Sequence, residues 1–299
     1  MLVALSVPGF VLTKTKLLKA EATKPFTNFL LYVCQPFLVI QSFINANYSK
    51  ELLANMGFVL LFGFLFLFGF TLLCMLCFKW MKDDVVRRAS IGASVFSNCA
   101  FMGIPFLQAL FPGNPVPILY CTVFTIMFNL LGWTLLVFVI TGEKKHVNIK
   151  RAILNPPTLA LVVALPLFFI NVSVPSQVMK PIDFLANMTS PVSMTVLGIR
   201  LAGIKFRELF ADARLYAVVA AKLVIVPLIS LGILLLFSLF LPIDEMTRTT
   251  VYIMMAMPTA TTVVLFSERY DIDSAYATKA TLITSILSFI TVPVLLLLL

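Results

Sequence analysis

Two apolar segments of the chain are interrupted by residues that break helices or form hydrogen bonds. The first segment, RRASIGASVFSNCAFMGIPFLQALF, contains Ser97, Asn98, Gly103 and Pro105, and the second, RTTVYIMMAMPTATTVVLFSERY, contains Pro258, Thr259, Thr261 and Thr262. Proline removes a backbone donor and clashes with the preceding helical turn. Each segment therefore has backbone groups without a helical partner, which are costly in an apolar medium unless a polar cavity or a ligand satisfies them.

The chemistry that such interruptions support is anion binding. A helix N-terminus presents free amides and the positive end of the helix dipole, and both attract negative charge. If the interruptions meet near the middle of a membrane, Asn98, Thr259 and Thr261 would add side-chain hydrogen bonds. The alternative is a pair of proline kinks whose free groups are satisfied by neighbouring Ser and Thr side chains, which is common in membrane helices. The candidate substrate-binding residues are Asn98, Gly103, Pro105, Pro258, Thr259, Thr261 and Lys222.

Lys222 is a charged residue inside the apolar run ADARLYAVVAAKLVIVPLI. At the helical rise of ~1.5 Å per residue it lies about 10 to 15 Å into that run. A lysine there costs roughly 2.5 to 3.5 kcal/mol on insertion scales. Its ammonium could provide positive charge for a carboxylate, bind a carbonyl freed at an interruption, or reach the cytoplasmic interface along its apolar stem. The sequence leaves these three interpretations open.

The sequence offers little to an enzyme or a metal site. Its one histidine, His146, lies in a charged loop, and its five cysteines all fall in apolar runs, where a thiol behaves as a small hydrophobe. No HExxH motif, GxSG serine context or pair of aspartates in an apolar run is present. We therefore expect no enzymatic activity, no cofactor and no metal.

The composition predicts the elements that must position these residues. Hydrophobic residues make up 61% of the 299 residues and charged residues 12%, against about 25% charged in a soluble domain. Such a chain needs an apolar solvent, and a bilayer requires about 20 apolar residues per helical crossing. We predict an all-α polytopic membrane protein with about ten transmembrane helices. The apolar runs cover residues 1–12, 26–46, 53–78, 89–111, 115–141, 153–171, 178–199, 215–241, 249–266 and 274–298.

Membrane topology accounts for the net charge of +9. Cytoplasmic loops are enriched in Lys and Arg, and the odd-numbered loops hold 17 of these residues against 3 in the even-numbered loops. This alternation predicts an even number of helices in the plasma membrane, with the N and C termini outside. The bilayer is thus the expected partner, and the basic composition does not call for a nucleic acid.

A weak internal repeat relates the two halves of the chain. Pro36 aligns with Pro191, and Tyr120, Thr122 and Thr125 align with Tyr276, Thr278 and Thr281. Five helices per half is an odd number, so the halves must insert in opposite orientations. The predicted domains are residues 1–151, with a short first helix, and residues 152–299. The interrupted helices are the fourth of each half.

At these residues the sequence resembles the auxin efflux carrier family of permeases, the bacterial relatives of the plant PIN transporters. The resemblance covers residues 8–298 and rests on the stretches SNCAFMGIP, PVSMTVLGIRLA and MPTATTVVLFSERY. It implies two inverted five-helix repeats with broken crossover helices 4 and 9. It also implies a scaffold part of helices 1, 2, 6 and 7 that forms a homodimer, and a transport part of helices 3–5 and 8–10. The family's crossover positions map onto residues 98–105 and onto Pro258 and Thr259.

An alternating-access carrier is the leading functional hypothesis. The resemblance implies a small organic anion as substrate, a carboxylate such as malate, malonate or an auxin-like acid. H+ and Na+ are the candidate coupling ions. A membrane sensor is the first alternative, although a sensor usually carries an added cytoplasmic domain. An anion channel is the second, because interrupted helices also line channels.

Overall fold

The structure is a computed structural model that describes residues 2–203, 209–210 and 212–299. Most of these residues are helical, and two loop residues that contributed to the charge count, Lys205 and Arg207, lie outside the described residues. The helices are Leu2–Lys14, Thr23–Asn45, Lys50–Cys77, Asp84–Val95, Cys99–Leu110, Val116–Thr141, Ile149–Ile153, Pro156–Ile170, Ser176–Asn187, Thr189–Ala202, Ala213–Phe240, Glu245–Ala256, Thr262–Arg269 and Ala275–Leu296. Short 3-10 helices cover Ala20–Ala22 and Lys144–His146.

Five of the described helices are long and apolar enough to cross a membrane. They are Thr23–Asn45, Lys50–Cys77, Val116–Thr141, Ala213–Phe240 and Ala275–Leu296. Large apolar side chains such as Leu61 and Leu65 are exposed along the second of these helices, as expected for a surface that lipid covers. The chain is therefore an all-helical, multi-pass membrane protein. The predicted ten-helix inverted repeat stays a prediction, because the other helices are shorter than a full crossing.

One predicted span is divided in the structure. The run 178–199 forms two helices, Ser176–Asn187 and Thr189–Ala202, which meet at Met188. Pro191 lies in the first turn of the second helix, where its missing amide has no helical partner in any case. The proline therefore begins a helix at a place where the apolar run alone predicts continuation.

The described chain forms two compact units, each built from separate stretches of sequence. The first unit contains residues 1–56, 100–126 and 153–204. Within it, helices Leu2–Lys14 and Thr189–Ala202 approach through two glycines. Gly9 lies against the Thr195 carbonyl, and Gly198 lies against the Ser6 carbonyl. Only a residue without a Cβ permits backbones to come this close, as in the small-residue contacts of membrane helices.

The second unit contains residues 57–99, 127–152 and 205–299. The second half of its helix Glu245–Ala256 is buried, and every residue from Val251 to Met257 is at most 1% exposed. Arg88 donates to the Thr141 carbonyl at 2.9 Å, next to Gly142, whose positive φ of 72° ends its helix in the left-handed conformation. The predicted boundary after residue 151 separates two sequence repeats, whereas the two units are groups of stretches that pack together. The repeat boundary stays a prediction.

Replacing Gly198 by Ala should lower the free energy of unfolding by about 1 to 3 kcal/mol, the usual cost of overpacking. The added Cβ would overlap the Ser6 carbonyl and lie 2.8 Å from the Phe10 amide nitrogen. Thermal melting of the purified protein in detergent would measure the loss. Gly57→Ala is the control, because nothing lies within 4 Å of a Cβ at Gly57. Equal melting temperatures for the two variants would contradict the prediction.

Candidate functional site

The two interrupted segments pair with each other inside the second unit. Helix Asp84–Val95 ends before Phe96, helix Glu245–Ala256 ends before Met257, and extended backbone follows each of them. The Asn98 amide donates to the Pro258 carbonyl at 2.7 Å, and the Ala260 amide donates to the Phe96 carbonyl at 2.8 Å. Ser97 and Thr259 face each other as an isolated antiparallel bridge. Backbone groups that a continuous helix would have satisfied are thus satisfied by the other segment.

The two interruptions have different causes. Met257 precedes Pro258 and is extended, with ψ of 149°, because a residue before proline avoids the helical region. No proline lies between Val95 and Asn98, and Pro105 lies farther along, in the first turn of Ile104–Leu110. A π-helical turn, Cys99–Gly103, directly precedes that helix. Gly103 and Pro105 therefore lie in helical structure after the interruption, whereas the sequence pattern placed them within it.

Thr259 ties the second segment to the helix that precedes the first segment and to the last helix of the chain. Its hydroxyl donates to the Ala93 carbonyl at 2.7 Å, and its amide donates to the Thr284 hydroxyl oxygen at 3.2 Å. The Thr284 hydroxyl in turn donates to the Ala280 carbonyl at 2.8 Å. The side chain of Thr259, which the sequence analysis assigned to a ligand, is thus engaged within the protein.

Lys222 is fully buried and points at the ends of two helices. It lies in a π-helical turn, Ala221–Ile225, within the long helix Ala213–Phe240. Its Nζ lies 3.5 Å from the Val95 carbonyl and 3.4 Å from the Met255 carbonyl, and it donates to the Ser97 hydroxyl oxygen. These carbonyls belong to the C-terminal turns of their helices, where the helix dipole is negative. The ammonium therefore lies where positive charge is stabilised, and not at an aqueous interface.

The helix Thr262–Arg269 begins beside the paired segments with two unsatisfied hydroxyls. Thr261 is 6% exposed, and among the described residues neither Thr261 Oγ1 nor Thr262 Oγ1 has a hydrogen-bond partner. A buried hydroxyl left without a partner costs about 1 to 3 kcal/mol. Both oxygens are buried from solvent, and each hydroxyl still has a hydrogen to donate.

The structure brings together five of the seven candidate residues within one unit. Asn98, Pro258, Thr259, Thr261 and Lys222 belong to the second unit, whereas Gly103 and Pro105 belong to the first. The Asn98 side chain is 6% exposed, and its backbone takes part in the pairing. Two functional contacts were not predicted from the sequence: Ser97 as an acceptor for Lys222, and Thr284 as a partner of Thr259. The polar composition of the last helix, ATKATLITSILS, was the only signal for Thr284.

Comparison with known proteins adds a family and two relatives. A family model described as a membrane transport protein matches residues 1–296. A protein of Methanothermobacter thermautotrophicus named "Uncharacterized transporter" is 24% identical over 292 residues, which are 95% of this chain and 92% of that protein. A protein of Rhizobium meliloti named "Putative malonate transporter" is 26% identical over 217 residues, which are 67% of this chain and 63% of that protein.

Replacing Thr259 by Val should destabilise the second unit, because the isosteric side chain leaves the buried Ala93 carbonyl without its hydroxyl donor. We expect a loss of about 1 to 3 kcal/mol, measured as a lower melting temperature. Thr195→Val is the control, since the Thr195 hydroxyl donates to Pro191 of its own helix at an exposed position. If Thr259→Val melted like the wild type, the hydroxyl would not hold the paired segments.

Proposed function

The chain belongs to the membrane transport protein family, which includes the auxin efflux carriers, and we propose on this premise that it is a secondary carrier for a small organic anion. The family predicted from SNCAFMGIP and the other stretches is confirmed. The observation that carries the proposal is the pair of interrupted segments, which leaves a helix N-terminus with two unsatisfied buried hydroxyls.

In this proposal, the anion binds at the start of helix Thr262–Arg269. The Thr261 and Thr262 hydroxyls donate to a carboxylate oxygen, and the positive end of the helix dipole adds about 0.3 to 2 kcal/mol. The Asn98 carboxamide, which follows the bridge residue Ser97, supplies a further donor. A carboxylate fits these groups because all of them donate hydrogen bonds or present positive potential.

Lys222 acts in this proposal on the protein and not on the substrate. Its ammonium stabilises the negative ends of two helices, so that the interruptions can persist in an apolar surrounding. This is the second of the three interpretations that the sequence leaves open, and its support is the set of three acceptors around Nζ. Carbonyls at such helix ends bind Na+ in other transporters. We therefore propose that Lys222 replaces a sodium ion here.

Transport follows an alternating-access scheme in which the substrate site is exposed to each side of the membrane in turn. The composition of the first unit supports this scheme in part. It contains residues 1–56 and 153–204, the stretches that the family resemblance assigns to scaffold helices 1, 2, 6 and 7, but also residues 100–126, which the resemblance assigns to transport helices 4 and 5. Dimerisation through the scaffold, a location in the plasma membrane and outside termini remain part of the proposal. The basic loops support the orientation.

A flux assay in proteoliposomes tests the proposed function. Labelled malonate, malate and indole-3-acetate would be offered with and without unlabelled substrate on the opposite side. A carrier should give saturable uptake that the opposite substrate stimulates, because loaded carriers return faster than empty ones. Uptake that rises linearly with concentration and ignores the opposite side would instead establish a channel. No uptake of any of the three anions would remove the proposed substrate class.

Replacing Thr261 by Val should weaken anion binding, because one hydroxyl donor is lost from the helix N-terminus. We expect the half-saturating concentration to rise about tenfold, equivalent to about 1.4 kcal/mol. Thr250→Val is the matched control. Thr250 is also buried in the second unit and its hydroxyl also has no partner among the described residues, but it lies within a helix. Equal half-saturation for both variants would remove Thr261 from the site.

Replacing Lys222 by Met should abolish transport and lower the melting temperature, because two helix C-termini lose their positive partner. Transport by the wild type should proceed at the same rate in Na+ and in N-methyl-D-glucamine. Lys279→Met is the control, because it removes the same charge from a half-buried position in the last helix. Full transport by Lys222→Met, or a sodium requirement of the wild type, would disprove the replacement.

A further inference from the structure

The first unit contains a polar cavity of about 590 Å³. None of the described residues that line it is charged, although side chains with hydrogen-bonding groups form much of its wall. The polar residues are Gln41, Ser42, Asn45, Gln108, Asn114 and Asn187. The volume falls within the range of small-molecule sites, about 300 to 1,000 Å³. Five of these six residues carry a carboxamide, so the ligand must match carboxamide chemistry.

Two of the carboxamides have their oxygens engaged within the protein. The Ser190 hydroxyl donates to Gln108 Oε1, and the Val116 amide donates to Asn114 Oδ1 at 3.0 Å. A carboxamide has one accepting oxygen and an NH2 group with two donors. The NH2 groups are thus what Gln108 and Asn114 offer to a ligand. Neither nitrogen has a protein acceptor among the described residues, so both NH2 groups can donate to a ligand that accepts hydrogen bonds.

Gln41 is the wall residue that does not favour an anion. Its Nε2 donates to the Asp183 carboxylate at 2.6 Å, which leaves its oxygen for the cavity, although Asp183 itself does not line the cavity. The case for an anion therefore depends on Gln108 and Asn114. The Ser42 hydroxyl donates to the Val39 carbonyl at 2.9 Å. Asn45 and Asn187 are exposed, so their carboxamides can turn their NH2 groups towards a ligand.

We propose that this cavity is a second carboxylate-binding site, formed by the first unit alone. It takes a short mono- or dicarboxylate through the NH2 groups of Gln108 and Asn114. Hydrogen bonds between neutral donors and a carboxylate are weaker than those that a lysine or arginine forms. The site therefore binds the anion weakly, and the anion dissociates readily. This suits a site that the substrate occupies only briefly during transport. This inference rests on the proposed function.

Two isosteric substitutions test the cavity. Gln108→Glu and Asn114→Asp keep the oxygens that accept from Ser190 and from the Val116 amide, but replace each NH2 donor by a negatively charged oxygen. Each variant should raise the half-saturating concentration of malonate at least tenfold, while the maximal rate changes less than twofold. A higher half-saturating concentration at an unchanged maximal rate is expected when a substitution weakens binding of the ground state and of the transition state equally.

The matched control is Asn155→Asp. Asn155 also belongs to the first unit and its oxygen also accepts from a backbone amide, that of Thr158 at 3.0 Å, but it does not line the cavity. It should leave half-saturation unchanged. Melting temperatures without ligand establish that each variant is folded, and either of the two cavity variants is sufficient for the test.

The outcomes separate this inference from the proposed function. If the wild type takes up malonate saturably and a folded Gln108→Glu or Asn114→Asp variant has the same half-saturating concentration, the cavity is not a carboxylate site. The proposed carrier function would be unaffected by that result. An equal rise in Asn155→Asp also overturns the cavity site, because the effect would then be one of charge in general. A fall in maximal rate at unchanged half-saturation would assign these residues to a step other than binding and would overturn the site as well.

Discussion

The constraint on which the structure depends is that a backbone group in an apolar medium needs a hydrogen-bond partner. Two helices end where they would be expected to continue, and each end frees carbonyls and amides. The bonds from Asn98 to Pro258 and from Ala260 to Phe96 satisfy four of these groups. Their cost when unpaired, several kcal/mol each, makes the two interruptions interdependent. Neither segment would have its backbone groups paired without the other, so a substitution that displaces one segment should also destabilise the other.

Charge follows from the same geometry. An interrupted helix has a negative end before the gap and a positive end after it, each equivalent to about half an elementary charge. Lys222 lies at the negative ends, close to the carbonyls of Val95 and Met255. These helix ends are themselves buried, and the lysine that compensates their charge is therefore buried as well. The positive end of Thr262–Arg269 has no carboxylate partner among the described residues. In the proposed function, an anionic substrate would neutralise this positive helix end, as Lys222 neutralises the negative ends.

The sequence predicted the family through its motifs, the helical membrane fold through hydropathy, and the interruption at Pro258 through the local effect of proline. It predicted the first interruption only approximately, because no proline lies where that helix ends. It could not choose among the interpretations of Lys222, since the acceptors come from helices distant in sequence. It also placed too much weight on Pro105, which a preceding π-helical turn accommodates. The cavity was not foreseen, because three separated stretches contribute its carboxamides. The ten-helix repeat, the dimer and the ligand contacts remain predictions.

A carrier must release what it binds, and this favours the kinds of donor that the structure provides. A guanidinium paired with a carboxylate gives strong, two-pronged hydrogen bonds, and such a pair would hold the anion in one state of the cycle. Hydroxyls at a helix N-terminus and uncharged carboxamides bind less tightly. Among the described lysines, the buried Lys222 already donates to Ser97 and lies close to two carbonyls, so in the proposed function its charge would stabilise the fold and would not bind the substrate. In the proposed function, selectivity for anions would then come from the direction of dipoles, and release would require no ion pair to be broken.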